Sequence, residues 1–145
     1  MRLFVAVFGI SLLAAAQEST RDQRAIEQAQ QTPVSMLEAG LPNQPLGQWL
    51  RDAVGPSAKI TWEVNDCGEQ TGNPDLDRGR DFPLCVEGVA KLTDGRLVSV
   101  SVAMGTFQKG ISGTPSLWSI AILMGDRYES VQMLRDLPAR IKGPV

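Results

Sequence analysis

The sequence predicts an α+β domain: two short N-terminal helices packed on an antiparallel sheet of four to five strands, with one disulfide. Three observations predict it. Apolar residues recur at helical spacing before residue 56 and at every second position from Ala58 onward. Gly, Pro, Asn and Asp punctuate each apolar run at turn positions. Two cysteines, Cys67 and Cys85, sit in a chain that opens like an exported protein.

The leader is short and legible. Met1 and Arg2 form a positive n-region, and Leu3 to Leu13 is an apolar stretch of 11 residues. Ala14, Ala15 and Ala16 then supply the small residues that signal peptidases require, so cleavage is expected after Ala16. Leu3 to Ala16 is too short for the ~20 residues of a bilayer span, which argues against an uncleaved anchor. The expected organisation is a signal peptide over 1–16, a flexible polar lead-in over 17–32 and a single α+β domain over 33–145. Five glutamines and only Ala25, Ile26 and Ala29 as aliphatic residues make 17–32 too polar to offset its ordering entropy.

Thr32 and Pro33 have the chemistry to open a first helix, running through Met36 and Leu37 to a stop at Gly40 and Pro42. A second helix follows Asn43. Its Leu46, Trp49, Leu50 and Ala53 share one face, Trp49 reads as a core anchor, and Gly55-Pro56 closes it. Ile60, Trp62 and Val64 then mark a half-buried strand. Further strands are expected over 84–92, 97–104 and Leu117 to Met124, the last apolar on both faces and hence central or covered. Arg127 to Leu134 reads as a fifth strand, with a helix opened by Asp126 and Glu129 as the alternative. Asp136 is then placed to cap a terminal helix through Ile141.

The central hairpin register follows from parity. A three-residue loop, Thr93-Asp94-Gly95 with Gly95 left-handed, pairs Ala90 with Val98 and Val86 with Val102 and gathers the apolar residues on one face. Cys85 then shares the polar face with Glu87 and Lys91, and Cys67 continues the polar face of its own strand. A disulfide across neighbouring strands fits that geometry. Its separation of 18 residues corresponds to about 3 kcal/mol of loop entropy in the unfolded chain.

Composition closes several functions. The chain has 14 Lys+Arg, 16 Asp+Glu and no histidine; without Arg2 the mature balance is 13 against 16, a net charge of −3. A mildly acidic domain is a poor binder of nucleic acid or anionic membrane. Without histidine there is no Ser-His-Asp or Cys-His catalysis and no His-ligated metal. No cofactor is expected, and the chain should be secreted or periplasmic with no membrane span after cleavage.

A meander places the connections 68–83 and 105–115 at one end, the end where function is expected. In the first, Asn73, Asp75 and Asp77 resemble the start of a calcium loop. Gly79 is one position late, Leu84 stands where a bidentate Glu belongs, and Arg78 and Arg80 neutralise the site. In the second, Gly105 and Gly110 have phosphate-loop spacing, but Ile111-Ser112 replaces the Lys-Ser/Thr that would reach phosphates. There Phe107, Lys109 and Ile111 are candidate contact residues, joined by Asp75, Asp77, Arg78 and Arg80 of the first loop. Two readings follow: a non-enzymatic exported module that captures an unidentified protein or extracellular or periplasmic ligand through these loops, and a carboxylate hydrolase of an envelope or extracellular polymer using Glu63 and Glu87. For the second, Lys59 and Lys91 are expected to hold those carboxylates in ordinary cross-strand ion pairs.

Overall fold

The computed structural model describes residues 20–67, 83–106 and 110–143. Five antiparallel strands lie in chain order: β1 (Lys59–Asp66), β2 (Pro83–Lys91), β3 (Leu97–Thr106), β4 (Gly110–Met124) and β5 (Arg127–Ser130). Helix α1 covers 20–31, followed by α2 (Val34–Leu37) and α3 (Leu46–Val54). After β5 come a 3-10 turn (Leu134–Asp136) and helix α4 (Leu137–Lys142). The α+β architecture and the Cys67–Cys85 disulfide match the sequence reading, with helical elements after the sheet as well as before it.

Helix α1 corrects the flexible lead-in over the part of 17–32 that is described. Ala25 and Ala29 are fully buried, one helical turn apart, and Ile26 packs beside them. Two alanines bury little area, but they let the helix axis approach closely: a Cβ on Gly47 of α3 would lie 3.4 Å from the Gln30 side chain. Thr32 ends α1 rather than capping α2, since its Oγ1 donates to the Gln28 carbonyl at 2.7 Å. Pro33 stands at the cap position of α2, one residue before the expected first turn. α3 matches expectation, with Leu46, Trp49 and Leu50 buried and Gly55 closing it at φ +89°.

The central hairpin has the expected register. Ala90 lies opposite Val98 and Val86 opposite Val102, and Gly95 adopts φ +94° in the loop. Leu92 N–H donates to the Arg96 carbonyl at 2.9 Å, so Ala90, Gly88 and Val86 form the doubly bonded pairs with β3. Alternation then fixes the other ladders: Lys91, Val89, Glu87 and Cys85 turn their backbone bonds toward β1. An independent bond at the far edge, Val131 N–H to the Ile120 carbonyl at 2.9 Å, has the phase this requires.

One face of the sheet carries the core. Val86, Ala90, Val98, Val100, Val102, Ile120 and Ile122 belong to a single buried cluster with Ala25, Ala29, Val34, Leu46, Leu50, Leu134 and Leu137 from the helical segments. Trp62 lies across the bare backbone of Gly88, where an added Cβ would meet the indole ring at 2.7 Å. That close approach is why residue 88 has no side chain.

Two charged side chains fasten the C-terminal segment to this core. The Glu38 carboxylate, largely buried, accepts the N–H groups of Leu134 at 2.6 Å and Arg135 at 3.0 Å and pairs with the Arg135 guanidinium. It thereby satisfies exposed donors at the start of the 3-10 turn. Arg96 is buried and donates to the carbonyls of Arg140 at 3.3 Å and Ile141 at 2.6 Å, while its Nε reaches Asp94 at 2.8 Å. A guanidinium at the C-terminus of α4 meets both its free carbonyls and its dipole. Asp136 occupies the cap position of α4 without the side-chain bond expected of it.

The expected fifth strand is shortened. β5 ends at Ser130, and Val131 and Leu134 turn into the core instead of continuing the edge.

Candidate functional site

The face of the sheet opposite the core is the feature on which the described residues place exposed apolar and charged groups side by side. None of its residues belongs to the main buried cluster, although Cys85, Ser101 and Ala121 on it are buried, and none of the described helices packs on it. Its rows can be read directly from the registers. Lys59 lies opposite Lys91, Lys91 opposite Leu97, Leu97 opposite Leu123, and Leu123 opposite Tyr128. The next row is small: Thr61, Val89, Ser99, Ala121 and Ser130. The third is Glu63, Glu87, Ser101 and Ser119.

The first row is two lysines followed by three apolar side chains, at the end of the sheet that carries the Thr93–Gly95 loop. Leu97 is 36% exposed and Tyr128 65% exposed. Leu97 stands on β3, whose other face is buried, so the core beneath fixes its position; Tyr128 stands on the exposed edge strand β5 and is held by its pairing with Leu123. Trp118, 50% exposed, stands where the register slips between the Ser101–Ser119 and Val102–Leu117 pairs. A bulge at that point turns an aromatic ring out of the regular alternation.

The carboxylate pair is real in space and different in company. Glu63 and Glu87 are directly opposite each other, and Glu87 accepts a hydrogen bond from Ser101 Oγ at 3.2 Å. The expected ion pairs with Lys59 and Lys91 do not form. Register opposes Lys59 to Lys91 and Glu63 to Glu87, so like charges meet like, with Thr61 and Val89 between the two pairs. Cross-strand like charges are mildly destabilising, and an open face lets water screen them.

The stapled end needs a second correction. Residues 105–115 are not a long loop, because β3 continues to Thr106 and β4 begins at Gly110. Gly105 lies opposite Ile111, and the excess chain between Ile111 and Ser116 bulges opposite Met104. Glycine and proline made this segment read as a loop, whereas the ladder of β3 supplies the pairing that holds it extended. Ile111 therefore stands in β4, while Phe107 and Lys109 lie outside the described residues. The same holds for Asp75, Asp77, Arg78 and Arg80 of the 68–83 connection. Among the described residues, no three His, Cys, Asp or Glu side chains converge on a metal-sized site. No helix of the described residues is long and apolar enough to cross a membrane.

A cleft of about 520 Å³ opens between the β4–β5 hairpin and α4, lined by Arg96, Arg127, Arg140, Tyr128 and Glu129 among others. Its cations are mostly engaged: Arg96 with Asp94 and the end of α4, Arg140 with Glu129. Tyr128 borders both this cleft and the open sheet face, which makes it the join between the two surfaces. Asp94 beside it is held below the ordinary carboxyl value of 3.8 by the Arg96 backbone N–H, with the Arg96 guanidinium adding to the effect.

Sequence reasoning missed Leu97, Trp118 and Tyr128. The signal for Leu97 was present, because the chosen register places it with Ser99 and Ser101 on the polar face. Leu123 belongs to the stretch Leu117 to Met124 that reads as central or covered; β4 is an interior strand, and Leu123 is half-buried on the face that no described helix covers. Searches among family models, curated proteins and solved structures find no match for this chain.

Proposed function

We propose that this chain is a non-enzymatic binding module, exported to the periplasm or the medium, that captures its partner on the sheet face that no described helix covers. The observation that carries the reading is the row Lys59, Lys91, Leu97, Leu123 and Tyr128. It sets an apolar strip beside two cations on a rigid support. A partner of matching chemistry is a protein or peptide that presents apolar side chains flanked by acidic groups. Exposed aromatic and aliphatic anchors on a fixed scaffold are the usual source of binding energy, and the lysines add steering and orientation. Export is supported by the leader-like N-terminus and by the disulfide, a bond that persists in oxidising compartments.

The hydrolase reading has one observation in its favour, the opposition of Glu63 and Glu87. A pair of carboxylates also needs walls that orient a sugar or peptide and exclude water. The described residues nearest this pair are Thr61, Val89, Asn65 and the buried Ser101, side chains too short to form such a wall.

The test uses the oxidised protein as bait against the exported fraction of the cells that make it. Leu97→Ser with Tyr128→Ser should abolish capture while the circular dichroism spectrum stays unchanged and the melting temperature falls by no more than a few degrees. Glu63→Gln with Glu87→Gln should leave capture intact. Capture that survives the first pair of changes would overturn the assignment of the surface.

A further inference from the structure

The two edges of the sheet are finished differently. β5 is four residues long, entirely exposed, and turns Arg127 and Glu129 toward the helix side, opposite Met124 and Ile122. A short edge with charges on its covered face cannot accept another strand without burying them. β1 is eight residues long, without proline or bulge, and no described residue pairs with its outer side.

The ladder phase says which groups that edge presents. Lys59, Thr61, Glu63 and Asn65 bond toward β2, so the N–H and C=O groups of Ile60, Trp62 and Val64 point outward. The free stretch has a defined start, because the Ala58 carbonyl already accepts from Arg51 Nη1 at 2.8 Å. Trp62 does not block it. Its ring leans inward across Gly88, leaving the backbone open.

We propose that a second copy of this chain pairs with β1 edge to edge, antiparallel, with Thr61 facing Thr61 across a two-fold axis. An isologous contact of this kind closes after two copies. Only registers that set outward-bonding residues opposite one another keep both helical layers on the same side of the joined sheet. In the one proposed, Ile60 faces Trp62 of the second copy on the covered side. On the open side Lys59 faces Glu63 of the second copy, and the reverse, so the two charges that lack a cross-strand counterion within one chain each meet one between chains. About four backbone hydrogen bonds form. One register step further crowds two indoles at the axis and loses both ion pairs. A second step opposes Glu63 to Glu63. Charge therefore selects among the alternatives.

The contact shares Lys59 with the proposed capture row and otherwise uses the backbone edge of β1, which continues the same face. Joined at β1, the two open faces form one ten-stranded surface with a capture row at each end, which is a route to avidity.

Sedimentation equilibrium of the oxidised full chain tests the contact, and Thr61→Cys tests its register. The wild type should show a monomer–dimer equilibrium. Glu63→Lys should weaken the dimer by about tenfold, and adding Lys59→Glu to that variant should restore it. Both side chains are exposed, and an unchanged circular dichroism spectrum confirms the fold. Thr61→Cys should give a disulfide-linked dimer whose bridge maps to residue 61 of both chains. A protein that stays monomeric at about 100 µM, far above a micromolar dissociation constant, would overturn the contact. A dimer that does not respond to the charge exchange, or does not cross-link at residue 61, would overturn this register. Loss of the dimer with capture intact would leave the proposed function standing.

Discussion

Along β3, Val98, Val100, Val102 and Met104 leave the backbone on one side, and Leu97, Ser99, Ser101 and Ala103 on the other. The first four are buried under helices from both ends of the chain. The second four face no described helix; Leu97 is 36% exposed, while Ser101 is buried. One alternating strand thus serves two purposes. Stability is concentrated on the covered face, where Trp62 sits on Gly88 and side chains from distant segments share one cluster. The other face carries the disulfide and a few buried small side chains, Cys85, Ser101 and Ala121, between its exposed rows. The two faces should therefore respond very differently to substitution.

The sharpest contrast comes from the covered side. Leu50→Ala removes a fully buried side chain from α3. It should cost about 2–5 kcal/mol in chemical denaturation, through lost transfer energy and the cavity left behind. A loss below about 1 kcal/mol would mean that α3 is not part of the same core. Next is the bond at the margin of the open face. Cys67→Ser with Cys85→Ser, which frees a closed loop of 18 residues, should cost about 3 kcal/mol with the midpoint of unfolding shifted and the open-face rows retained. The Leu97→Ser and Tyr128→Ser pair should together move stability by no more than about 1 kcal/mol, Leu97, at 36% exposed, contributing more than Tyr128 at 65%.

The smallest effect is electrostatic and local. Asp94 is held in its charged form by the Arg96 N–H and guanidinium. A carboxyl with a depressed folded value favours the folded state above its unfolded value, and that contribution disappears as pH falls through the folded value. The tie from the Asp94 loop through Arg96 to the end of α4 should therefore loosen below the ordinary 3.8 and not between neutral pH and 5. Amide exchange in 137–142, followed against pH, should accelerate only in that acidic range. Asp94→Asn should remove the dependence.

Much of this fold can be read in the residues themselves. The Thr93-Asp94-Gly95 loop and the parity of the valines determine the central register, and once β1 is placed beside β2 the disulfide follows. The same parity carries Glu63 opposite Glu87, but an intuition that opposite charges find each other hides it. Helix α1 is less legible because its buried stripe consists of two alanines and an isoleucine, too little area to outweigh a glutamine-rich composition. The extension of β4 back to Gly110 is harder still. In Gly110-Ile111-Ser112-Gly113 only Ile111 favours a strand locally, the two glycines oppose it, and the partner ladder decides. Of the candidate site, the polar alternation is visible, while the exposure of Leu97 and Tyr128, over which no described helix packs, is a tertiary fact that no local pattern encodes.

The central claim, that recognition occurs on the open sheet face, is tested most directly by site-resolved photocross-linking in the producing cell. A benzophenone amino acid is placed singly at Tyr128, at Leu97, at Phe107 and at Gln48 on the exposed side of α3. The account predicts a discrete adduct from Tyr128 and Leu97 and none from Gln48. Adducts confined to Phe107, or equal from all four positions, would contradict it.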